Sequence, residues 1–169
     1  MWPRMDGRRV LEFGTPGELR IRLTELALSG AKTATAGLLA LDYHAEGEEL
    51  EHVGERLVLV DDSGARAAEV EIRRVVLTPF AQVTWEFAEA EGEDYRSIDD
   101  WREAHRRYWS GQGHEVDDSS TVVCLWFRVV DHPGRGPRDP NIATTPTLRG
   151  IARRASPPDR TRMCRGTAP

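Results

Sequence analysis

Between residues 19 and 27 the apolar positions Leu19, Leu23, Leu26 and Ala27 recur at helical spacing and share one face. Before them, Thr15 is a good N-cap, Pro16 suits the first helical position, and Glu18 completes a capping box. Gly30 is the natural stop. The period then changes. RLVLV (56–60) is a short apolar run, DDSG (61–64) is a turn, and the next stretch alternates at Ala68, Val70 and Ile72 before running apolar over 75–77. This predicts a β-hairpin. TWEFAEAEG (84–92) favours a short helix that stops at Gly92. SIDDWREAHRRYWS (97–110) predicts a further helix, with Ser97 as N-cap, Asp100 three residues on, and Ile98, Trp101, Ala104, His105 and Tyr108 on one face. TVVCLWFRVV (121–130) is apolar on both alternating faces and predicts a central strand. Residues 1–14 have no clear period and read as an extended lead-in. Residues 34–43 stay open between strand and irregular structure, and the acidic, glycine-punctuated 45–55 is a loop.

This order lacks parallel βαβ alternation, so the expected class is α+β, with a small, mostly antiparallel sheet or barrel. A chain of 169 residues with 39% hydrophobic and 30% charged positions suits one domain with tails. No apolar run approaches the ~18 residues that span a membrane. The N-terminus has no apolar signal core, and a cytoplasmic protein is expected. Cys124 sits in an apolar run and Cys164 far away in a polar stretch, which implies no disulfide framework. From residue 131 onward eight Arg face three Asp, so the body is more acidic than the net charge of −5. Such a body attracts polyanions poorly except through a local cleft. Residues 132–169, rich in Pro, Gly, Thr and Arg, are expected to form a disordered basic tail.

Lys32 is the only lysine in a chain with 23 Lys+Arg. An arginine cannot give up its proton, whereas a buried lysine can be tuned toward neutrality. Gly30, Lys32 and Thr35 form G-x-K-x-x-T just past a helix end, where the dipole favours a cation. A tight turn would put the amine and hydroxyl on one side; a regular strand would put them on opposite faces. The pair then suits a lysine that activates a threonine nucleophile, or two donors gripping a phosphate or base edge. The plainer use is a capping lysine beside a strand threonine. Trp101 and His105, one helical turn apart, suit either stacking on a base or the commoner role of core packing. Tyr43 and Trp85 are candidates to line a cleft. Five histidines show no H-E-x-x-H or H-x-H pattern, and no metal site is expected from them.

G-A-K-T-A-T (30–35), E-G-E with V-G (46–54), P-F-A-Q-V-T (79–84), A-E-A-E-G-E (88–93), W-R-E-A-H (101–105) and T-V-V-C-L-W-F (121–127) together resemble the ASCH domain, a relative of the PUA fold. The resemblance covers roughly residues 15–130. It implies a lead-in over 1–14, an ASCH domain over 15–131, and a PUA-like β-barrel flanked by helices with a cleft at one mouth. Such folds meet RNA or modified nucleosides. One branch is similar to amidohydrolases that deacetylate N4-acetylcytidine, which would make Lys32, Thr35 and Glu91 catalytic. Gly30, Thr33, Tyr43, Trp85, Trp101 and His105 are the expected substrate-binding set. Another branch resembles metal-dependent ribonucleases acting on single-stranded RNA, the one reading that implies a divalent cation. A non-catalytic RNA-binding or regulatory module is the competing class. No membrane partner is expected, and the oligomeric state stays open.

Overall fold

Strand β6 (Thr121–Asp131) lies between two partners, where its two apolar faces require it. In this computed structural model, which describes residues 1–132, β6 pairs antiparallel with β3 (Ala34–Leu38) and with β5 (Arg66–Pro79). β4 (Arg56–Val60) pairs antiparallel with β5, and β2 (Arg8–Leu11) pairs parallel with β4. A two-residue β1 (Arg4–Met5) completes the order β1-β2-β4-β5-β6-β3. Three helices pack against the sheet: α1 (Glu18–Ser29), α2 (Trp85–Glu91) and α3 (Ile98–Gly111). The class is α+β, with a six-stranded mixed sheet.

The sheet is not closed into the barrel that the resemblance implies, since its end strands β1 and β3 share no ladder. The reason lies on the open edge of β3. There the N–H of Ala36 donates to Glu91 Oε1 at 2.9 Å and that of Leu38 to Asp42 Oδ2 at 2.7 Å. Two carboxylates satisfy the donors that another strand would otherwise take. Beyond β3, residues Leu39–His44 form a π turn, which settles the ambiguity of 34–43 as a short strand followed by an irregular helical turn.

Local capping governs the later helices, at Ser97 as expected and at Thr84 as well. The Thr84 hydroxyl accepts from the Phe87 N–H at 3.3 Å, and the Ser97 hydroxyl from the Asp100 N–H at 3.1 Å. α1 differs. It starts at Glu18 rather than Thr15, because Gly17 takes φ 102 and interrupts the helix. The Gly17 N–H goes instead to Asp62 Oδ1 at 2.6 Å. Gly30 ends α1 in the left-handed region, as its position predicts.

α1 buries Leu23 and Ala27 against Leu57, Leu59, Val70, Ile72 and Phe127 of the sheet. α2 and α3 bury Phe87, Trp101 and Trp109 with Phe80, Val122 and Cys124. Burial pushes the Cys124 thiol up to about 12, so it is a packing residue rather than a nucleophile. The lead-in contributes β1, β2 and the buried Phe13 to the body. The acidic loop 45–55 is not simply solvated. Arg9 binds both Glu55 oxygens, at 2.8 and 2.6 Å, and Arg4 binds Glu48, while Glu51 is only 4% exposed. Apart from His132, the expected basic tail lies outside the described residues. Among those described, no helix is long and apolar enough to cross a membrane.

Candidate active site at the open seam of the sheet

The seam between β2 and the open edge of β3 holds a cavity of about 490 Å³, within the usual range for small-molecule sites. Phe13, α1, the π turn, the end of α2 and one face of α3 complete its wall.

One end is organised by Gly92. It stands at φ +67 after α2, and a Cβ there would lie 2.2 Å from the Ala31 carbonyl oxygen. Only glycine permits this approach of two backbones. The Thr33 N–H then donates to the Ala90 carbonyl at 2.8 Å, and the Phe127 N–H to the Thr33 carbonyl at 2.9 Å. Residues 31–34 are thereby fixed between α2 and β6, and Lys32 is turned inward. Its side chain is 1% exposed, 5.4 Å from the centre of the Phe13 ring. Nζ donates to Glu93 Oε1 at 2.5 Å and lies 3.5 Å from Glu91 Oε1.

Both carboxylates have further donors. Glu91 Oε2 accepts from Trp101 Nε1–H at 2.5 Å and lies 3.4 Å from His105 Nε2. Glu93 Oε2 accepts from the Tyr95 hydroxyl at 2.9 Å. Burial alone would raise the Glu93 carboxyl, but the Lys32 ammonium and the Tyr95 hydroxyl outweigh it and hold Glu93 below the ordinary value. Burial and the neighbouring Glu93 and Glu91 raise the Tyr95 phenol, keeping it a donor.

The other end is built by Asp42 and Tyr43 of the π turn and Glu51 of the acidic loop. The Tyr43 hydroxyl donates to Glu51 Oε2 at 2.9 Å. Burial raises both groups; Glu51 raises Tyr43 further, while the backbone N–H of Glu51 itself, then the Tyr43 hydroxyl and the Arg9 charge, offset part of the rise at Glu51. Burial likewise raises Asp42 against the opposing Leu38 N–H. Glu51 Oε1 is buried and has no hydrogen-bond partner.

Lys32, Thr35, Glu91, Tyr43 and His105 all line this one cavity. Trp101 stands behind it, fully buried, with His105 stacked on its ring at 3.9 Å between centroids. Gly30 is the cap of α1 and Trp85 packs on the α2–α3 cluster. The Thr33 hydroxyl donates to the Ala90 carbonyl at 3.1 Å. None of these three lines the cavity. Residues that reading the sequence did not single out are Glu93, Tyr95, Phe13, Asp42 and Glu51. Glu93 lies inside the A-E-A-E-G-E string, two residues past Glu91, and the glycine between them was the available signal. Among the described residues, no three of His, Cys, Asp and Glu are grouped to hold a metal ion.

Compared with the curated proteins, the chain finds no match. Among solved structures it is similar to a protein from Enterococcus faecalis V583, at 30% identity over 76% of this chain and 80% of that one, with a TM-score of 0.67. It is also similar to an ASCH domain from Lactobacillus crispatus JV V101, at 30% identity over 73% of this chain and 79% of that one, with a TM-score of 0.65. The sequence model of the ASCH domain matches residues 9–131, from the second residue of β2 to the end of β6. The chain belongs to the ASCH domain family.

Proposed function

We propose that the cavity binds a modified nucleoside of the N4-acetylcytidine type and hydrolyses its amide, with Lys32, Thr35 and Glu91 as the working residues and Glu93 as a fourth. What supports this reading is that the only lysine of the chain is buried in a cavity that Thr35, Glu91 and Glu93 also line. The Thr35 oxygen attacks the amide carbonyl as its proton passes to Lys32. Lys32 takes that proton only after passing its own to Glu93 Oε1, 2.5 Å away, a transfer that runs against the pairing that keeps Glu93 ionised. The C–N bond then breaks, the leaving amine takes the proton back, and water attacks the resulting acetyl–Thr35 ester, releasing acetate and restoring the hydroxyl. Glu91, held by Ala36, Trp101 and Lys32, positions the lysine. Positioned acid–base groups of this kind contribute ~10²–10⁴-fold.

A second reading has its own support. Lys32 is already ion-paired to two carboxylates, an arrangement that serves binding without turnover. The ASCH family is associated with RNA, and under this reading the cavity grips a base. Incubating the protein with N4-acetylcytidine and with single-stranded RNA, beside Lys32→Arg, separates the two. The hydrolase reading expects deacetylation by the wild type and its loss in Lys32→Arg, with nucleoside binding partly kept. Binding without turnover in both proteins would favour the module, and cleavage of the RNA would overturn the amide reading.

A further inference from the structure

An acetyl–Thr35 ester is cleared by water, and that water needs a base. Lys32 is committed elsewhere, its amine held 2.5 Å from Glu93 and 3.5 Å from Glu91. His105 of α3 lies on the same cavity wall without such a commitment. Its ring lies over Trp101, with 3.9 Å between centroids and 24° between planes. Tyr95 and Trp109 make tilted contacts with it at 5.8 and 5.1 Å. Nδ1 is 3.0 Å from the Trp101 carbonyl. A carbonyl only accepts, so Nδ1 carries the hydrogen, and in the neutral ring Nε2 carries the lone pair. Packing and this bond thus fix both the orientation and the tautomer.

Nε2 makes no hydrogen bond within the protein, yet it is not sealed from solvent as the partnerless Glu51 oxygen is. The side chain keeps 11% of its surface exposed. Three charged groups face the ring. Glu91 Oε2 is 3.4 Å from Nε2, close enough to stabilise an imidazolium but without the alignment of a hydrogen bond. Glu93 also feels the His105 charge, and Lys32 lies beyond, paired to both acids. Glu91 connects the ring to the nucleophile as well. Its Oε1 accepts at 2.9 Å from the N–H of Ala36, the residue after Thr35, and Thr35 lines the same cavity.

We infer that His105 is the general base of the second half-reaction. Nε2 takes one proton from a water as its oxygen attacks the acetyl carbonyl, and Glu91 offsets the charge of the imidazolium. The bond from the acetyl carbon to Thr35 Oγ then breaks, the imidazolium gives its proton to that oxygen, and acetic acid leaves and ionises in water. This deepens the proposed function and rests on its acetyl–Thr35 ester, but not on which acetyl donor forms that ester.

Trapping the ester tests the role. His105→Asn keeps an N–H donor near the Nδ1 position and has no Nε2; His105→Gln replaces Nε2 with an amide, which takes up no proton. Each protein is mixed with N4-acetylcytidine and, separately, with p-nitrophenyl acetate, an activated ester that acylates a hydroxyl without nucleoside recognition. Product release and intact-protein mass are followed together. The wild type should turn over without accumulating acetyl groups. Both variants should release about one product per chain and then continue at least ~100-fold more slowly. They should meanwhile carry one acetyl group on Thr35, absent from the double variant Thr35→Val, His105→Asn. Turnover at the wild-type rate by a folded variant overturns the inference and leaves the hydrolase reading standing. So does loss of turnover with no acetylated protein from either donor. A wild type that accepts p-nitrophenyl acetate alone defeats the nucleoside reading, and the decay of acetyl–Thr35 in the variants still decides the role of His105. A wild type that releases neither product defeats both. Thermal unfolding identifies the folded variants on which the result is read.

Discussion

The two ends of the cavity carry similar groups in opposite states. At the Lys32 end, each carboxylate oxygen of Glu91 and Glu93 has a donor or cation beside it, and the ammonium lies between two acids. At the Glu51 end, a carboxylate is just as buried but half unpaired. A satisfied buried network rigidifies a site, whereas an incomplete one retains a cost that a ligand can remove. The first end is therefore a rigid network with its partners in place, and the second keeps part of the cost of burying a carboxylate.

The largest expected effect comes from breaking the backbone contact behind the first end. Gly92→Ala forces a Cβ into the Ala31 carbonyl at a positive φ. Urea unfolding should show a loss of about 3 kcal/mol or more. A loss under 1 kcal/mol would mean that Gly92 does not set the position of Lys32. Next is Lys32→Met, which leaves Glu91 and Glu93 buried without their cation. Breaking such a pair costs about 3 kcal/mol at neutral pH. Because Lys32 and Tyr95 hold Glu93 below its ordinary value against the effect of burial, this stability is present above the unfolded carboxylate pKa of ~4.3 and is lost as pH falls through the folded value. The gap between wild type and variant should therefore close in acid.

Trp101→Phe keeps an aromatic ring but removes the Nε1–H donor from Glu91. A loss of about 1–2 kcal/mol is expected from the unpaired carboxylate oxygen. The smallest effect, of opposite sign, belongs to the other end. Burial raises Glu51, so its protonated form is the one that suits the fold. Its contribution is full below ~4.3 and is lost as pH rises through the folded value. Glu51→Gln should be more stable than the wild type at neutral pH, by about 1 kcal/mol, with the advantage vanishing in acid. Denaturation at a series of pH values checks both signs together. Parallel slopes for Lys32→Met and Glu51→Gln would remove the contrast between the two ends.

How much of this the sequence made legible follows range. Ser97, Thr84 and Gly92 act within a few residues of themselves, and the elements they delimit could be read directly. β6 was legible because a strand with partners on both edges and packing on both faces is apolar throughout. The start of α1 was misread because Gly17 competes with the Thr15 cap, and local pattern does not rank them. The open seam was hidden because it depends on Glu91 and Asp42 reaching backbone donors of β3, from 55 and 4 residues away. Lys32, Thr35 and Glu91 could be named from the resemblance. Glu93 meets Lys32 just past the turn at Gly92, and Glu51 is buried where Arg9 holds its loop and Tyr43 its side chain, contacts 61, 40 and 8 residues apart in sequence.

Under the proposed function, the Lys32 end of the cavity performs amide hydrolysis through the Thr35 hydroxyl. Steady-state deacetylation of N4-acetylcytidine by the wild type and by Thr35→Val, which keeps a β-branched residue in β3, tests it most directly. The account predicts turnover by the wild type and a fall in kcat of at least ~100-fold in Thr35→Val, with cytidine binding little changed. Equal turnover by the two proteins, or none by the wild type, would contradict it.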